Sequence, residues 1–182
     1  MKPRVLGCVL LALLLSGCAY VGWNSVNGVE TGRVLFDSYR IDTSWGYNLE
    51  GFYIDSEGRV WRYQKTEPWY PAEQRVSVVS EADLLHKFSE EKQVGSVDPE
   101  VLAEMKELIG AAAEGRVTRD RISYERSGNL DVAYLFDPRQ RRYEVVFLRG
   151  GGGWVARNHS RAADTLVDWL RDVEKNAGIH QP

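Results

Sequence analysis

The hydrophobic period of the chain changes several times between its ends, and each change marks an element. An uncharged run from Val5 to Leu15 follows Lys2 and Arg4 and stops at Ser16. It holds about half of the roughly 20 apolar residues that a spanning helix needs. From Val29 to Gln64 the period is close to two, as in half-buried strands. Arg33 to Ile41, bent at Asp37-Ser38, reads as one strand, Tyr47 to Ile54 as a second and Arg59 to Tyr63 as a third. Asp55-Ser56-Glu57-Gly58 supplies the turn chemistry of a hairpin between the last two. Pro68 and Pro71 then hold Trp69-Tyr70 in an extended linker, because a residue before proline is kept out of the helical region.

The period next lengthens. Ser80 with Asp83 forms a capping-box pattern opening a helix to about Gln93, with Leu84, Leu85 and Phe88 inward and Gly95 as the stop. Asp98-Pro99 starts a second helix carrying Val101, Leu102, Met105, Leu108, Ile109 and Ala112, ended by Gly115. A second β block follows: Ile122 to Glu125 turns at Ser127-Gly128-Asn129 into Leu130 to Phe136. That strand turns at Asp137-Pro138-Arg139-Gln140 into Arg142 to Leu148. Gly150 to Gly153 reads as a flexible connector leaving the sheet, anchored by Trp154. A final helix runs from Asn158–Ser160 to Asn176 on an Ala163, Leu166, Leu170, Val173 stripe, with Gly178 as its stop.

This order predicts a single α+β domain over 29–178, followed by a tail over 179–182. Its largely antiparallel sheet would have about six strands in two meanders, with about three helices packed on one face. The Asp-initiated turns at Asp55 and Asp137 reflect shared turn chemistry more than a duplication, because the helices between them do not repeat.

The basic start, the apolar run and the small residues before Cys18 follow the three-part design of an export signal. Leu15-Ser16-Gly17-Cys18 resembles the lipobox of bacterial lipoproteins. That resemblance covers residues 1–19 and implies cleavage after residue 17, with Cys18 carrying a diacylglyceryl thioether and an acylated amine. Residues 18–28 become a lipidated tether, and several acyl chains give lasting anchorage. Ala19 is not the Asp that marks inner-membrane retention, so the resemblance points to the outer membrane where the host has one. The domain would then face the periplasm or the exterior.

Removal of Lys2 and Arg4 takes the 23 basic residues down to 21 against 26 acidic ones, a balance of −5 that argues against nucleic acid as a partner. Both cysteines, Cys8 and Cys18, are lost to the folded part, which excludes disulfides, thiolate catalysis and zinc-thiolate sites. His86, His159 and His180 lack metal-ligand spacing, and no cofactor is implied. His159, Ser160 and Asp164 sit within about one helical turn, where Ser160 is better explained as a cap than as a nucleophile.

Two clusters remain. Trp61 and Tyr63 share a strand face, and with the proline-flanked Trp69 and Tyr70 they form a candidate binding surface for sugars or an apolar polypeptide. Arg139, Arg141 and Arg142, continued by Arg149 and Arg157, form a basic run suited to anionic headgroups or phosphates. The first functional reading is therefore a lipid-anchored envelope protein with a non-enzymatic binding or scaffolding role. Its partners would be membrane lipid through Cys18 and an envelope protein or glycan. The alternatives are an envelope hydrolase acting on glycan or peptide and a carrier of a small apolar ligand.

Overall fold

The computed structural model describes residues 34–69, 77–88, 90–121, 127–152 and 154–179. Cys18 and Tyr70 lie outside the described residues, as do the expected strand at 122–125 and His180. The elements are β1 (Val34–Asp42), β2 (Asn48–Asp55), β3 (Arg59–Lys65), β4 (Val78–Ser80), α1 (Glu81–Lys87), β5 (Glu91–Ser96) and α2 (Pro99–Ala113). They continue with β6 (Val117–Arg121), β7 (Ser127–Asp137), β8 (Arg142–Gly152), β9 (Trp154–Asn158) and α3 (Arg161–Asn176). The sheet runs β5-β3-β2-β1-β7-β8-β9-β6, with β4 added to β8, and every described pairing is antiparallel.

The α+β class holds, but among the described residues the sheet has nine strands and not about six. Glu91-Lys92-Gln93 was expected as a helix tail. Instead α1 closes at Lys87 with Phe88 as its cap, and the charged segment becomes an edge strand on β3, clamped by the Tyr53 hydroxyl donating to Glu91 at 2.5 Å. Gly150 to Gly152 is likewise not a connector. Those glycines pair with Leu130, Asn129 and Gly128, so Ser127-Gly128-Asn129 is strand and not turn. Gly152 has φ +101°, and a Cβ there would meet the Ser127 carbonyl oxygen. Only glycine fits that corner between β8 and β9.

The local signals that did form are the ones built from neighbours. Asp55 Oδ1 accepts from the backbone N–H of Glu57 at 2.9 Å and Arg59 at 3.0 Å, and Gly58 takes φ +79°. Ser80, Asp98 and Ser160 cap α1, α2 and α3 by accepting from Asp83, Glu100 and Ala163 backbone N–H. Each cap satisfies a donor that the helix leaves unpaired.

Alternation along the strands builds two cores. Phe36, Phe52, Ile54, Val60 and Leu148 meet Leu102 and Ile109 of α2 and Leu166 and Leu170 of α3. Tyr39, Leu49, Tyr53, Tyr63, Val132, Tyr134 and Phe147 meet Leu84 of α1, Phe88 and Trp69. Helices therefore cover both faces, the two long ones on one side and short α1 on the other.

Candidate functional site

The second core accounts for most of the aromatic residues expected at a binding surface. Tyr63 and Trp69 are interior residues, which corrects their assignment to a surface. Trp69 is only 4% exposed; its indole N–H donates to the Asp83 carbonyl of α1 at 2.9 Å, and its backbone N–H donates to the Tyr47 hydroxyl at 3.1 Å. Trp69 thus forms a lid that α1 seals. Trp61 does share a face with Tyr63, but it is half-buried, stacks on Tyr53 and donates its indole N–H to Asp55 at 3.0 Å. These rings form no open platform.

Beneath the lid lies a polar cluster that the sequence reading missed. Lys87 and Asp37 are both 0% exposed and touch at 2.5 Å through Nζ and Oδ2. The Tyr63 hydroxyl donates to Asp37 Oδ1 at 2.8 Å and the Tyr134 hydroxyl to Oδ2 at 3.0 Å. Four rings surround the nitrogen: Tyr39 at 3.4 Å, Trp69 at 4.7 Å, Tyr63 at 5.3 Å and Phe88 at 5.5 Å from ring centroids. Burial pulls the Lys87 ammonium down to about 8 against the opposing pull of Asp37, and burial first, then the Asp37 charge, pushes both tyrosines well up. The sequence signal was Asp37 itself, a carboxylate at an inward position of an apolar strand, with Lys87 three residues after Leu84 on the inward side of its helix.

The open site lies on the opposite face of the sheet. A cleft of about 630 Å³ between α3 and strands β7 to β9 is lined by Arg149, Arg157 and Arg171, with Asp164 and Asp168 on the helix side. A bulge makes it. Asp131 pairs with Arg149 while Val132 pairs with Phe147, so Leu148 is an extra residue in β8. Under unbroken alternation Arg149, two residues after Phe147, would share its side and enter the second core; the bulge instead pairs it with Asp131 and turns it toward α3. Arg157 lies 3.9 Å from Asp164 and Arg171 lies 3.5 Å from Asp168, and all four side chains are exposed. Such exposed pairs contribute about 0–1 kcal/mol, so the guanidiniums exchange partners easily. Asp131, beside Arg149, is buried; burial pushes its carboxyl above the usual range, against the Ser38 hydrogen bond and the charges of Arg171 and Arg149.

No known protein family, curated protein or solved structure matches this chain.

The basic run divides between two places. Arg139, Arg141 and Arg142 sit at or beside the β7–β8 turn, where Arg141 binds Glu81 at 2.7 Å and Arg142 lies 3.9 Å from Asp137. Arg149 is seven residues further along, roughly 23 Å at strand rise. Arg149 and Arg157 instead join Arg171, which no linear reading connects to them. Ser160 is spent as the α3 cap, and exposed His159 lies 3.0 Å from Thr118 Oγ1. Among the described residues no group of three His, Asp or Glu side chains is arranged to hold a metal.

Proposed function

We propose that the protein is a lipid-anchored component of the bacterial cell envelope that binds an acidic envelope ligand, bearing phosphate or carboxylate groups, in the arginine cleft. The reading rests on the convergence of Arg149, Arg157 and Arg171, from two strands and a helix, on one open cleft. A guanidinium matches the two oxygens of a phosphate or carboxylate in a planar fork, and charge-assisted hydrogen bonds of this kind are the strong ones. The charged lining favours such a ligand over an apolar one. The role is binding and not turnover, since the carboxylates in the cleft are exposed and tied to arginine. The lipobox resemblance at Cys18 supplies the anchor, and its acyl chains would hold the cleft within reach of the membrane surface.

Calorimetric titration with citrate and inorganic phosphate, and sedimentation with vesicles containing phosphatidylglycerol, test the reading. Arg149→Gln with Arg171→Gln is expected to weaken binding about tenfold or more, since a hydrogen bond to a charged group is worth about 1.5–3 kcal/mol. Affinity unchanged in that variant and insensitive to salt would overturn it.

A further inference from the structure

We propose that Lys87 and Asp37 become joined by an amide bond between their side chains, a covalent tie from α1 to the central strand β1. The two groups are already in contact at 2.5 Å with no exposure to solvent, and 50 residues of chain separate them. Holding two reacting groups in place is worth effective molarities of about 10⁵–10⁸ M. The sealed pocket also excludes the water that would reverse the condensation. A buried ammonium–carboxylate pair carries a large desolvation cost, which transfer of one proton within the pair removes.

The contacts assign the steps. The Lys87 ammonium gives a proton to Asp37 Oδ2, the oxygen it touches. The neutral amine then attacks Cγ, a C–N bond forms, and the carbonyl electron pair moves onto Oδ1. There the Tyr63 hydroxyl, at 2.8 Å, donates to the developing oxyanion. A second proton passes from the nitrogen to Oδ2, beside the Tyr134 hydroxyl at 3.0 Å; the electron pair on Oδ1 re-forms the carbonyl as the Cγ–Oδ2 bond breaks and its pair leaves with the oxygen. Water leaves, and one amide replaces one ammonium and one carboxylate. Nothing is oxidised or reduced, and no co-reactant is consumed. The aromatic ring set of Tyr39, Tyr63, Trp69 and Phe88 keeps the amine from any other partner.

Mass spectrometry of a tryptic digest of the full, denatured chain tests this. The expected product is a branched peptide, Val34–Arg40 linked to Val76–Lys92, uncut after Lys87 and lighter by one water than its two parts. Separate linear Val34–Arg40 and Val76–Lys87 would overturn the proposal. So would loss of water confined to linear Val34–Arg40, which marks a cyclic imide at Asp37-Ser38. In Lys87→Arg only linear peptides are expected, and a branched product there would place the link elsewhere. The wild-type digest decides the matter whether or not that variant folds.

Discussion

Asp131 shows how one side chain couples stability to pH. Burial raises its folded carboxyl above the ordinary value of 3.8, so its ionised form is the costly one in the native state. Below the unfolded value both states hold the proton and no cost arises; the cost grows as pH rises from there through the folded value. Asp131→Asn removes the charge, and its amide oxygen can still accept from the Ser38 hydroxyl, which lies 2.7 Å from Oδ1 in the wild type. The variant is therefore expected to unfold at higher denaturant than the wild type at pH 7, with the difference shrinking toward pH 3. Lifting that charge from beside Arg149 and Arg171 should also tighten phosphate binding, read by the same titration. Trp69→Ala, by contrast, is expected to cost about 3–5 kcal/mol, because it empties a packed interior site. The change also removes the indole N–H bond from Trp69 to the Asp83 carbonyl of α1, and chemical denaturation will register both losses.

Elements became legible where their signals were local. The caps at Ser80, Asp98 and Ser160 and the Asp55 turn use partners within a few residues, so spacing alone revealed them. Ser160→Ala is expected to cost about 1 kcal/mol in thermal unfolding, as one helix donor is orphaned. The strands that escaped the sequence reading are short or charged. Val78–Ser80 has three residues and Trp154–Asn158 five, while Glu91–Ser96 and Val117–Arg121 each hold a single valine among charged and polar residues. Their hydrogen bonds reach β8, β3 and β9, elements whose nearness is decided by the fold. The glycine run joined the sheet for the same reason, since only the pairing with β7 gives it a ladder. Gly152→Ala is expected to destabilise by about 1 kcal/mol or more, because its positive φ and the Ser127 carbonyl leave a methyl group no room.

At the scale of the whole molecule, the proposed anchor and the folded body call for different measurements. Cys18→Ser is expected to take up no labelled palmitate and to leave the membrane fraction, and labelling of that variant would refute the lipobox assignment. In the body, the sheet separates two cores with opposite character. One ends in an open cleft of exposed arginines, and the other closes over Lys87 and Asp37. Neither grouping was visible along the chain: Arg149, Arg157 and Arg171 come from β8, β9 and α3, and Asp37 and Lys87 are 50 positions apart. The sequence by itself determined the α+β class, the three capped helices and the main hairpins, because periodicity and turn chemistry act between near neighbours. Only the tertiary structure decided which aromatic rings face inward, which arginines converge and which lysine meets which aspartate. Those outcomes depend on strand order, on a single extra residue at Leu148, and on which face of the sheet each helix covers.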